Sequence, residues 1–233
     1  MTAIYKREMR SYFTSPVGYI FVAIFLAVSA FFFMDSTVQA GDDSSVSSYF
    51  MYILYIFIII IPLITMKLIS EERKMRTDQL ILTSPVSLFG IVFAKFLAAF
   101  TLFGGTFIIS SVIYYIPLSL YGTPNVASYI CSVIAILLSG SAIGIFISSL
   151  TENQFIAALG TIAAIILLLT ISSLNNYINV EFIRVILSAI SFTSRYGRFA
   201  YGILDYSAIV YFGSITALFL FLTVRAFEKR RWS

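Results

Sequence analysis

The sequence predicts an all-α integral membrane protein with six transmembrane helices. Of its 233 residues, 60% are apolar and only 11% charged, and the mean hydropathy is +0.96. A soluble domain has roughly 45–50% apolar and about 25% charged residues. The apolar residues also gather into runs long enough for the ~30 Å hydrocarbon core of a bilayer. The predicted spans are 17–34, 49–66, 88–116, 127–149, 155–174 and 207–226, within a single membrane domain covering 1–233.

The first element precedes the spans. Over residues 1–16, Tyr5, Met9, Tyr12 and Phe13 recur at helical spacing, with Lys6, Arg7 and Arg10 elsewhere on the wheel. Such a helix lies in the headgroup plane. The rival reading is a signal-peptide n-region. However, the apolar run that follows is longer than a usual h-region, and Val28-Ser29-Ala30 is a weak cleavage match inside it. The link from Asp35 to Ser48 is rich in Ser, Asp and Gly and reads as a solvated loop. Gly122 and Pro124 mark a turn, and the link Leu150–Gln154 is very short. The link 172–206 is long. In it Val180, Ile183, Leu187 and Ile190 repeat at helical spacing, which predicts one or two short helices at the outer surface.

Charge sets the orientation. The segments carrying Lys6, Arg7 and Arg10, then Lys67, Arg73, Lys74 and Arg76, then Arg225, Lys229, Arg230 and Arg231 all fall on one side of a six-span chain, and the first two opposite links hold no Lys or Arg. The positive-inside rule places both termini in the cytoplasm. The pI near 9.1 is therefore explained by lipid headgroups and orientation, and no nucleic-acid partner is expected.

Catalytic patterns are missing. No G-x-x-x-x-G-K-[ST] P-loop occurs, and a chain without histidine can form neither H-E-x-x-H nor a Ser–His–Asp triad. No metal or cofactor site is expected in this chain, and Cys131 reads as a small buried apolar residue. Lys95 is the clear charge inside a span. Its stem is long enough to snorkel to the interface, the alternative being a place on a substrate pathway. Gly140 and Gly144 form a G-x-x-x-G that suits close packing, within the chain or between copies. Thr106, Ser110, Ser111, Tyr114 and Tyr115 could line a pathway or anchor the interface. Asn153 and Gln154 could cap a turn or touch a cytoplasmic partner.

The strongest signal is the charged island 67–87, KLISEERKMRTDQLILTSPVS, between two spans. It must stand in water. Ser70 suits an N-cap, with Glu71 and Glu72 in the first turn, where the helix dipole favours acids. Leu80, Ile81 and Leu82 supply an apolar end, and Ser84-Pro85 breaks the helix. The prediction is a stiff cytoplasmic helix joined to two spans, the plain alternative being an ordinary basic loop.

Ser70-Glu71-Glu72-Arg73, then Thr77-Asp78-Gln79-Leu80-Ile81-Leu82-Thr83-Ser84-Pro85-Val86, with Lys95 downstream, resembles the coupling-helix region of ABC-2 type ABC transporter permeases. Arg76 stands where that pattern usually has glycine, Asp78-Gln79 where an apolar–Glu pair is common, and Ala94 where glycine often precedes the lysine. The stretches Arg7–Ile20, Phe199–Asp205 and Thr223–Trp232 are similar to a subgroup that includes gliding-motility-associated and copper-processing permeases. The resemblance implies an N-terminal elbow helix, a coupling helix between spans two and three, and short outer helices before span six. It also implies two P-loop ABC ATPase subunits that bind ATP and Mg, and a second permease copy or paralogue. Contact with the ATPase would fall to Glu71, Glu72, Arg73, Thr77, Leu80, Ile81, Leu82, Thr83, Ser84 and Pro85. The expected setting is a prokaryotic cytoplasmic membrane and the expected activity export. A membrane scaffold for an envelope or motility machine is the alternative.

Overall fold

The computed structural model describes residues 2–35, 45–77, 86–121, 141–174, 191–201, 203 and 205–231. They form eight helices: α1 (Thr2–Thr14), α2 (Pro16–Phe33), α3 (Ser45–Lys74), α4 (Leu88–Tyr121), α5 (Ser141–Leu150), α6 (Gln154–Leu174), α7 (Phe192–Ala200) and α8 (Tyr206–Arg231). Five of these, α2, α3, α4, α6 and α8, are long and apolar enough to cross a membrane. The predicted span 127–149 is described only from Ser141 onward, and the helix predicted over Val180–Ile190 lies outside the described residues.

α1 turns sharply into α2. Ser15 is extended (φ −96°, ψ 153°), the conformation favoured before proline, and Pro16 opens α2 where its missing N–H costs nothing. A Cβ on Gly18 would stand 2.4 Å from the Tyr12 carbonyl oxygen, so this close corner requires glycine. The corner folds α1 back onto α2 and α4. Tyr5 donates to Thr101 Oγ1 (3.2 Å) and Tyr12 to the Ile64 carbonyl (3.2 Å). The sequence reading placed α1 in the headgroup plane. The structure adds that its inward face clamps α3 and α4.

α3 is the hub. It meets α2, α4, α6 and α7, and 67% of its spanning window is buried, against 17% for α6. Its 30 residues reach about 45 Å, well beyond ~30 Å of hydrocarbon. This corrects the sequence reading, in which the span ended near Met66 and Ser70 capped a new helix. Ser70 lies inside α3, and its hydroxyl bonds back to the Met66 carbonyl. Glu71 and Glu72 therefore sit near a helix C-terminus, not in a first turn. Met75 to Thr77 close α3 with a Schellman motif: Thr77 N–H donates to Glu72 O (3.0 Å) and Arg76 N–H to Arg73 O (3.2 Å). Arg76 takes the left-handed position of that motif, φ 56°.

The middle of the core is aromatic. Phe103 lies 4.9 Å from Phe57, 5.8 Å from Phe25 and 5.8 Å from Phe21, ring centroid to centroid, binding α2, α3 and α4 together. Ser87 caps α4 by accepting from Gly90 N–H (3.2 Å), and Asn153 caps α6 by accepting from Phe155 N–H (2.9 Å). α7 inserts Phe192, Tyr196 and Phe199 into the core from the other end.

Candidate functional site

The two ends of α3 are built differently, and the charged end is the candidate site. Four ionisable side chains from three helices close into a ring there. Glu8 Oε1 accepts from Arg7 (2.6 Å) and from Lys95 Nζ (3.0 Å). Glu72 receives the same two cations, Lys95 on Oε2 at 2.9 Å and Arg7 on Oε1. Charges alternate around the ring and sum to zero. The Lys95 side chain is 0% exposed, and its third donor goes to the Leu68 carbonyl at 2.6 Å, so every ammonium hydrogen has an acceptor.

The helices explain the convergence. Glu8 lies three residues after Tyr5 and four before Tyr12, on the face of α1 that turns inward. Glu72 sits in the last turns of α3, and Lys95 two turns into α4. Burial pushes the Glu8 carboxyl up, but the Lys95 ammonium and the Arg7 guanidinium outweigh it and hold the group below its ordinary value of 4.5. Burial alone would lower Arg7; Glu8 and Glu72 raise it instead. The Tyr12 phenol, one turn from Glu8, is pushed well above its usual range by burial, with a further push from the Glu8 charge.

A second set of contacts holds α3 from the α5 side. A Cβ on Gly144 would overlap Thr65, so α3 and α5 cross with almost no space between them. One turn on, Ser148 Oγ accepts from the N–H groups of Ile69 (3.3 Å) and Ser70 (3.1 Å) and donates to Met66 O (3.2 Å). Arg73 then reaches Ser149 O (3.2 Å) and Glu152 (3.3 Å). Gly144 thus serves packing within the chain.

The island residues separate into distinct places. Glu72 points into the ring, while Glu71 points out and pairs with Lys67 (3.6 Å). Arg73 belongs to the α5 contact, and Thr77 to the C-cap. Leu80, Ile81, Leu82, Thr83, Ser84 and Pro85 lie outside the described residues. An open groove of about 370 Å³ runs between α1 and the end of α3, edged by Arg7, Ser11, Lys67, Glu71, Met75 and Thr77. Asn153 is the α6 cap, with Gln154 beginning the helix beside it.

One expectation is corrected: Lys95 does not snorkel, but is wholly enclosed and paired. Thr106 and Ser110 are buried with their hydroxyls on carbonyls of their own helix, Leu102 O and Phe107 O, both at 2.8 Å. Tyr114 is buried against Ser29 (2.5 Å) and stacked on Phe33. All three face the interior of this chain. Ser111 shares their helix, and Tyr115 follows one turn on. Arg7 was read only as a basic residue of α1, and Glu8 was given no role, although an acid on the apolar face of an amphipathic helix was a visible signal.

The ring offers two carboxylates already shared by two cations, and among the described residues no three His, Cys, Asp or Glu side chains come together as a metal site. Its chemistry is mechanical: it joins three helices. Compared with protein-family models, residues 1–174, which run from the start of the chain through α6, match the one described as ABC-2 type transporter. No curated protein matches the chain.

Proposed function

The chain belongs to the ABC-2 type transporter family, and from that premise we propose that the ring-locked end of α3 is the point where a separate ATPase drives the spans. Family membership makes the chain the permease component of an ABC transporter, a multi-pass membrane protein that works with an ABC ATPase subunit. The complex is an exporter with six spans per permease, two permeases and two ATPases, and the ATPases supply ATP and Mg. The charged end of the bundle and both termini face the cytoplasm of a prokaryotic cell. The finer likeness to gliding-motility-associated and copper-processing permeases rests on the residue stretches quoted above.

The observation that carries this reading is the ring itself. The segment 77–87 joins α3 to α4, and both of its anchoring helix ends are held in one ion network with α1. A push on that segment cannot tilt α3 alone, because Glu72 would leave Lys95 and Arg7. It moves α1, α3 and α4 together. Glu71, Lys67 and Thr77 stay at the surface beside the segment and fit a contact surface, with Leu80 to Pro85 as its continuation. The turn at Glu152, Asn153 and Gln154 is tied to the same end by Arg73 and fits a second contact.

The test is made on the assembled complex. Glu71→Lys changes the outward charge without entering the ring. Its expected effect is a several-fold loss of ATPase activity, with the permease still folded in the membrane. A complex whose ATPase activity and co-purification with the P-loop subunit match wild type would refute the contact.

A further inference from the structure

A groove of about 550 Å³ lies between α4 and α8, away from the ring. Its walls are Phe93, Phe96 and Phe100 on α4 and Ala217, Leu220 and Phe221 on α8. The α4 rings form a ladder, with centroids 6.1 Å apart from Phe93 to Phe96 and 6.0 Å from Phe96 to Phe100. Among the described lining residues the one hydroxyl, on Thr216, donates to Phe212 O at 2.8 Å. Those residues therefore present no unpaired side-chain hydrogen-bonding group to whatever fills the groove, which favours an apolar occupant.

Its length is informative. From Phe89 to Phe100 on α4, and from Gly213 to Val224 on α8, the lining covers eleven helical steps, about 16 Å. That is about half of a ~30 Å hydrocarbon core, the depth of one leaflet. The groove starts at the basic end of the bundle and runs inward along both helices. At its mouth, Arg225 lies 5.0 Å over the Phe221 ring, bonds Glu228 at 2.6 Å and keeps its side chain 62% exposed. Lys229 is exposed one turn on.

We infer that this groove holds one acyl chain of an anionic phospholipid, with the phosphate at Arg225 and Lys229. The same charges disfavour a second copy as occupant. A two-fold pairing through the groove brings the basic ends of two α8 helices to the same level, so like charges meet. A lipid phosphate neutralises them instead. The leaflet is the cytoplasmic one if the orientation proposed above holds; the site itself does not depend on it.

The probe is a phosphatidylglycerol carrying a photoreactive diazirine at mid-chain, mixed into phosphatidylcholine vesicles that hold the full-length chain. Labelling is expected to concentrate on peptides spanning 89–100 and 213–224, several-fold above the exposed face of α6 at Leu159, Ile166 and Leu167. Ala217→Trp fills the groove and lowers that labelling about tenfold, as expected when a few methylenes lose their contacts. Arg225→Gln with Lys229→Gln lowers the preference for phosphatidylglycerol over an equivalent phosphatidylcholine probe about fivefold or more. Uniform labelling of all lipid-facing helices in the wild-type chain would overturn the site, whether or not the Trp variant folds. So would groove peptides that cross-link to a second copy and take up no lipid. Unchanged preference in the double variant would overturn the phosphate contact.

Discussion

The two ends of α3 hold the bundle by opposite means. At the end of α3 beside α1, a ring of four charges joins α1, α3 and α4. At the other end the ties are aromatic. Phe33 and Tyr114 stack at 4.6 Å with planes 10° apart, Tyr49 meets both edge-on, and Tyr196 donates to Phe50 O at 2.9 Å. The aromatic end has many overlapping contacts, each of modest worth, and rings can slide over one another at little cost. The ring of charges has no redundancy. Each member meets two of opposite charge, and three of the four are largely buried, so losing one leaves its partners uncompensated. Under the function proposed above, the charged end would transmit displacement and the aromatic end absorb it.

Removing one ring member should do the most harm. Lys95→Met leaves Glu8 and Glu72 buried with only the half-exposed Arg7 between them, and a loss of about 3–5 kcal/mol is expected. Thermal unfolding of the full chain in detergent measures it. Acid should act on this end through Glu8. The Glu8 carboxyl is held below 4.5, so its contribution is complete above that value and disappears as pH falls through the lower folded value. The gap in unfolding temperature between wild type and Glu8→Gln should therefore hold down to about pH 4.5 and close as the pH falls below it. A gap that widened with acid would reverse the assigned sign. At the aromatic end, Tyr114→Phe keeps the stack on Phe33 and loses the hydroxyl's bonds with Ser29 and the Leu26 carbonyl, for about 1 kcal/mol. A loss as large as that of Lys95→Met would erase the contrast between the two ends.

The smallest effect is a gain. Arg76 holds a left-handed backbone, φ 56°, where a side chain costs about 1 kcal/mol relative to glycine. Arg76→Gly should stabilise the end of α3 by that amount, read as slower amide exchange over Arg73 to Thr77. The sequence reading had marked Arg76 as a departure from a pattern with glycine; the Schellman turn explains why glycine suits it.

Much of the bundle was legible in the chain. Hydropathy located the described spans closely, because burial in lipid demands long unbroken apolar runs. The end of α3 was misread because hydropathy falls at Lys67 while helix propensity does not. Leu68, Glu71, Glu72, Arg73 and Lys74 are nearly all strong helix formers, so the helix continues into water without a new cap. The island residues drew notice, but their separate directions did not follow from their order. Adjacent positions on a helix point about 100° apart, which sends Glu71 outward and Glu72 inward. The ring was out of reach for another reason. Its contacts join Arg7 to Glu72 and Glu8 to Lys95 across 65 and 87 positions, and only the sharp corner at Ser15-Pro16 brings α1 back to receive them.

The central claim is that the ring makes α1 and the end of α3 move as one. Hydrogen-exchange mass spectrometry of the Lys95→Met chain in a membrane tests it directly. The account predicts that peptides from Thr2–Thr14 and from Leu68–Lys74 lose protection together, while Tyr49–Phe57 at the aromatic end stays protected. An α1 that exchanges as slowly as in wild type would contradict it.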